Sequence, residues 1–111
     1  MVETKLDKIK QAVLQFLDEA EINADKIVIF GSYAKDKQNQ DSDIDIIIIS
    51  KDFRNKDLFE VVEMANDVHW KLVDRFSMAF DIMYYSDLDW DKGNSLIINT
   101  AKKDGEVIYE G

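Results

Sequence analysis

Apolar residues at Leu6, Ile9, Val13, Phe16, Leu17 and Ala20 recur at helical spacing, which predicts an amphipathic helix over about 3–20. The pattern breaks at "EINAD". The run "KIVIF" at 26–30 and the run "IDIIIIS" at 44–50 are short and continuously apolar, as strands buried on both faces are. Between them Gly31 and Ser32 open a possible short helix, "SYAK". From 56 to 76 a 3.6-residue period returns at Leu58, Val61, Val62, Ala65, Val68, Leu72, Val73 and Phe76, predicting a second long helix. "MAFDIMYY" at 78–85 is a third strand. Ser86 with Asp89 resembles a capping box ahead of a helix within 89–103, and Gly105 separates that helix from a last short strand, "EVIYE". This order predicts one compact α/β domain over 1–111, with a mixed β-sheet of about four strands flanked by helices.

Aspartates interrupt the strands in a pattern that a plain core does not need. On a strand, Asp43 and Asp45 point to the same face, about 7 Å apart by strand rise. Two carboxylates so placed repel each other and resist desolvation unless water or a divalent cation compensates them. Asp81, between Phe80 and Ile82, lies on the next predicted strand and reaches the same cluster if the two strands are neighbours. Such a three-carboxylate site suits one or two magnesium ions, which take oxygen ligands and complete their shell with water and phosphate. Upstream, Gly31 and Ser32 follow a strand and offer backbone N–H groups and a hydroxyl to an anion; Lys35, one turn on, can project toward the same charge. A triphosphate gripped at one end beside a carboxylate cluster is what nucleotidyl transfer requires.

Net charge narrows the partners. With 14 Lys and Arg against 23 Asp and Glu the chain carries a formal charge of −9, which disfavours direct nucleic-acid binding and suits a basic protein partner or an anion admitted with cations. There is no cysteine, so disulfides, thiolate metal sites and cysteine nucleophiles are excluded, and any metal is held by oxygen or by the single His69. His69 lies beside the apolar stripe of the long helix and is read as a packing residue. No apolar run approaches the roughly 20 residues that cross a bilayer, and the N-terminus lacks the features of a secretory signal, so a soluble, cytoplasmic protein without membrane contact is expected.

The spacing apolar-Gly31-Ser32, ten intervening residues, Asp43-Ile44-Asp45, then apolar-Asp81-apolar resembles the nucleotidyltransferase superfamily that includes DNA polymerase beta. "GSYAK" and "DSDIDIIII" are similar to the minimal nucleotidyltransferase (MNT) domains of bacteria and archaea, over nearly the whole chain. The resemblance implies transfer of a nucleoside monophosphate from ATP or another NTP to a hydroxyl, with Mg2+ held by Asp43, Asp45 and Asp81 and the nucleotide by Gly31, Ser32 and Lys35. It also implies a helical HEPN-type partner, with the chain as antitoxin of a toxin–antitoxin pair and the partner carrying the acceptor. Homo-oligomerisation is left open. Family members commonly read Gly-Ser-x-Ala-Arg-Gly, whereas Lys35 and Asp36 stand here; lysine keeps the charge but lacks the guanidinium fork. The competing expectation is a non-catalytic, acidic antitoxin-like subunit that neutralises a partner by contact. The presence of all three carboxylates favours the enzyme.

Overall fold

The computed structural model describes residues 4–30, 44–93 and 95–111. Helix α1 (Lys5–Glu19) starts where Thr4 and Asp7 close a reciprocal capping box, the Asp7 N–H donating to Thr4 Oγ1 at 3.1 Å. Its apolar stripe buries Ile9, Val13, Phe16 and Leu17. Strands β1 (Lys26–Phe30) and β2 (Ile44–Ile49) are the two isoleucine-rich runs, paired antiparallel. After β2 a 3-10 turn at Lys51–Phe53 leads into α2 (Leu58–Phe76), which opens on an Asp57–Glu60 capping box and ends at Ser77 in the left-handed region. β3 (Phe80–Tyr85) then pairs parallel with β2, so β2, α2 and β3 make one crossover unit. Two short helices follow, α3 (Asp87–Lys92) and α4 (Leu96–Asp104), before β4 (Glu106–Glu110) closes antiparallel on the other side of β1.

The sheet order is β3-β2-β1-β4, a mixed four-stranded sheet with helices on both faces, as the sequence pattern predicts. Strand alternation divides the core in two. Ile27, Ile29, Ile44, Ile46 and Ile48 face α1 and α2, whereas Val28, Ile47 and Ile49 face Trp90, Ile98 and Ala101 of α3 and α4. This is why β1 and β2 are apolar at nearly every position: central strands covered on both faces have no solvent side. Each fully buried isoleucine contributes about 1.5–3 kcal/mol of transfer free energy.

One predicted helix is two. The segment 89–103 breaks at Gly93, whose φ of 62° ends α3, and Ser95 starts α4 by accepting the Ile97 N–H at 3.1 Å. Asn99 ties the junction by donating from its amide to the Gly93 carbonyl at 2.8 Å. At the far end of α4, Gly105 is required by space: a Cβ there would lie 2.5 Å from the Ala101 carbonyl oxygen and 3.1 Å from that of Ile29. The third strand starts two residues later than the pattern suggests, at Phe80, because Ser77 and the residues after it complete the turn out of α2. The expected short helix after Gly31 lies outside the described residues.

Candidate active site

Two of the sequence-selected carboxylates come together. In the parallel β2–β3 register Asp45 is the direct partner of Asp81. Neighbouring strands lie about 4.8 Å apart, so the two side chains leave the sheet side by side on one face. Which face follows from alternation: Ile44, Ile46, Phe80 and Ile82 pack toward α1 and α2, leaving Asp45 and Asp81 in line with Ile47 and Met83 on the α3–α4 side. Among the described residues the cover runs out there. Ile47 and Ile49 are fully buried under Trp90, Ile98 and Ala101, while Asp45 is half-buried and Asp81, on the edge strand, is exposed.

That exposure corrects one expectation. An aspartate inside "AFDIMYY" invites the view that its charge needs compensation against desolvation; as an edge residue, Asp81 is solvated without help. What remains unusual is its neighbour. Like charges directly opposite each other on adjacent strands destabilise a sheet by a few tenths to about 1 kcal/mol, and here two acids share one register position.

The antiparallel β1–β2 pairing completes the frame. Phe30, the last residue of β1, is the register partner of Asp45, so three strands bring Phe30, Asp45 and Asp81 into one row. Gly31 and Ser32 follow Phe30 in the sequence, and Asp43 precedes Ile44. Gly31, Ser32, Lys35 and Asp43 themselves lie outside the described residues. Among the described residues no cluster of three or more Asp, Glu or His groups suited to a metal forms, Asp43 not being among them. The donor set that the sequence nominates is nonetheless all carboxylate oxygen, the ligand type that magnesium prefers, and Asp45 with Asp81 already supplies two such groups from one face.

Pattern reasoning on the sequence picked the acids and missed Phe30. An apolar residue at the end of an apolar strand carries no signal by itself; only the antiparallel register places it beside Asp45. His69 is held as expected of a packing residue, its Nε2 lying 3.1 Å from the Phe80 carbonyl oxygen and its ring edge-on to Trp70. Next to it a cleft of about 200 Å3 runs between α2 and the edge strand, lined by Val62, Asn66, His69, Phe80, Ile82 and Tyr84 and bordered by Asp81. Burial pushes the Tyr84 phenol up to about 12. No helix among the described residues is long and apolar enough to cross a membrane.

Comparison with known proteins agrees with this geometry. A family model described as a nucleotidyltransferase domain matches residues 6–107. No curated protein matches the sequence significantly. Among solved structures, a toxin–antitoxin complex with AMP-PNP superposes with a TM-score of 0.68 at 17% identity, over 92% of this chain and 73% of that one. A toxin–antitoxin MntA-HpeT mutant, in which two aspartates two positions apart are replaced by glutamate, gives 0.65 at 15% identity over 92% and 73%. A tri-AMPylated HEPN toxin of Shewanella oneidensis in complex with MNT antitoxin gives 0.59 at 15% identity over 94% and 71%. At such identities these likenesses establish a shared fold.

Proposed function

The chain belongs to the nucleotidyltransferase domain family, and from that premise we propose that it is a minimal nucleotidyltransferase moving AMP from ATP to a hydroxyl on a helical HEPN-type partner. The observation that carries this is the register match of Asp45 with Asp81 at an open end of the sheet. Support comes also from the spacing of Asp43 and Asp45, which equals that of the two aspartates substituted in the MntA-HpeT mutant.

In this mechanism Asp43, Asp45 and Asp81 hold Mg2+, and Gly31, Ser32 and Lys35 bind the phosphates. When bound, the magnesium supplies positive charge that lets an acidic site accept a triphosphate. The remaining work falls to the chain. Backbone N–H groups after β1 and the Lys35 ammonium orient the triphosphate, and Phe30 gives the site an apolar wall that limits water. The acceptor oxygen attacks the α-phosphorus, a new O–P bond forms, the bond to the β-phosphate oxygen breaks, and pyrophosphate leaves with its electron pair while the acceptor proton passes to solvent. Asp81 is exposed at the edge of the row, which supports a role for it toward the acceptor. A partner chain that presents a hydroxyl in line with the scissile bond completes the site.

The test has two parts. Calorimetric titration of ATP with magnesium and with chelator is expected to show binding only with the metal; equal affinity in both would sink the site. Incubation of the chain with ATP, magnesium and the helical partner is expected to add one or more AMP masses to the partner by mass spectrometry. A tight complex that acquires no nucleotide would favour neutralisation by contact instead.

A further inference from the structure

Helix α2 buries one apolar stripe in the core and carries beside it a second, mixed row whose far end, Val73 and Phe76, also packs on the core. Val61, Ala65, Val68 and Leu72 are buried in the core. A second row, Phe59, Val62, Asn66, His69, Val73 and Phe76, is spaced 3-4-3-4-3, the a/d repeat of a helix–helix seam. Its leading half is bare: Leu58 is 72% exposed, Phe59 87% and Val62 44%, and Trp70 beside the row is 60% exposed. The row borders the cleft of about 200 Å3 that separates α2 from the edge strand β3. Leu58, Phe59, Val62 and Trp70 cluster on one side of the helix as an interaction surface rather than scattered exposure.

Charge says what covers it. On its outer flank α2 presents Glu60, Glu63, Asp67 and Asp74. Of the helix's two basic residues, Lys71 lies beside Asp67 and is engaged by Glu19 of α1, to which it donates at 2.8 Å, and Arg75 sits over the Phe16 ring. A second copy related by a two-fold axis would set acidic flank against acidic flank, and an anionic lipid surface would meet the same repulsion. The residues outside the described set, 1–3, 31–43 and 94, contain only Met1, Val2 and Tyr33 as large apolar side chains. We infer that the Phe59–Phe76 row receives an amphipathic helix of a partner protein, whose apolar a and d residues fill the groove beside β3 and whose Lys and Arg residues face Glu63, Asp67 and Asp74. This rests on the partner reading above and assigns it a surface, on the sheet face opposite the Asp45 and Asp81 side chains, so that a partner docked here reaches the acids around the β3 edge.

Two fluorescein-labelled helical peptides of three heptads test it, both with Leu or Ile at a and d, one with Lys and Arg at e and g and the other with Glu. The basic peptide is expected to bind and to shift the emission of Trp70 to the blue, and the acidic peptide to bind at least tenfold more weakly. Phe59→Asp, an exposed position whose change leaves the fold intact, and Glu63→Lys with Asp67→Lys should each weaken the basic peptide at least tenfold while magnesium-dependent ATP binding stays unchanged. Equal binding of the two peptides, or variants that bind like the parent chain, would overturn the inference. So would a dimer in sedimentation that Phe59→Asp dissolves, since a second copy would then be the occupant. Peptide binding does not involve nucleotide, so its loss with ATP binding intact strikes this surface alone, and loss of transfer with peptide binding intact strikes the active site alone.

Discussion

The two ends of the β2–β3 pair treat carboxylates in opposite ways. At the C-terminal end acids meet donors. Asp87 takes a two-pronged ion pair from Arg54, Asp25 accepts the Lys51 N–H at 2.9 Å, and Asp52 accepts the Asn23 N–H at 2.9 Å. These contacts tie the 3-10 turn to α3 and to the chain entering β1. At the N-terminal end, Asp45 shares its register position with Asp81, an acid beside an acid. Two acids in one register position are the kind of local feature that a sheet retains at a functional site. The position is also unusual for an α/β sheet, where ligands commonly sit beyond the carboxyl ends of parallel strands. Here β1 runs antiparallel to β2, so the residues that leave β1 emerge beside the amino end of β2.

Substitution separates the two ends most sharply in activity. Asp45→Ala and Asp81→Asn should each lower nucleotidyl transfer at least about 100-fold, the scale on which groups that stabilise transition-state charge act. On the proposed mechanism, in which Asp81 serves the acceptor, Asp81→Asn should reduce transfer far more than it reduces ATP binding. Proportional loss of both would place Asp81 with the triphosphate. Asp87→Asn, at the other end, should leave transfer per folded molecule unaltered, and a large loss there would erase the contrast.

Stability should move the other way. Asp81→Asn removes a like-charge neighbour of Asp45 and is expected to raise unfolding free energy by about 0.5 kcal/mol in denaturant titration; a clear loss would mean that the pair is compensated within the fold. Asp87→Asn breaks the Arg54 pair and should lower the midpoint. Arg54 holds the Asp87 carboxyl below the usual carboxylate range, chiefly by hydrogen bonding. The sign is fixed by that shift: the unfolded chain binds the proton more readily, so the contribution is present above the ordinary carboxylate pKa of about 3.9 and is lost as pH falls through the lower folded value. The acid limb of the stability profile should flatten in Asp87→Asn, and an unaltered limb would remove Asp87 from the account.

The same contrast explains how much the sequence disclosed. Periodicity located α1 and α2 because their apolar residues face a core with a fixed repeat, and β1 and β2 were legible because a strand with five isoleucines in six residues has few other fates. Asp45 and Asp81 stood out because each interrupts an apolar run. What the pattern could not show is pairing. Phe30 belongs to the site row only through register, Asp81 is exposed only because β3 falls at the edge, and Arg54 finds Asp87 across 33 residues. The split at Gly93 was marked in the sequence by a glycine two residues before a serine, a stop followed by a start, yet helical spacing on both sides masked it. On α2 Val62 was counted with the core stripe and is 44% exposed, whereas Val73 and Phe76, half-buried, pack against the core as the pattern suggests.

Tyr84 gives the smallest effect and fixes the inner wall of the comparison. It lies on β3 toward the C-terminal end, packed edge-on against Phe53 with ring centroids 5.6 Å apart. Burial disfavours the phenolate and pushes its pKa up to about 12 from the ordinary 10.0. The folded state therefore keeps its proton where the unfolded state has lost it, so stability is unaffected below about pH 10 and falls as pH rises from there through the folded value. Difference titration of phenolate absorbance between the parent chain and Tyr84→Phe should show one tyrosine ionising late, close to pH 12. The same variant should lose less stability than the parent between about pH 10 and 12, since phenylalanine has no proton to release. An early step, near the ordinary phenol value, would mean that water in the cleft beside α2, which Tyr84 lines, solvates its hydroxyl.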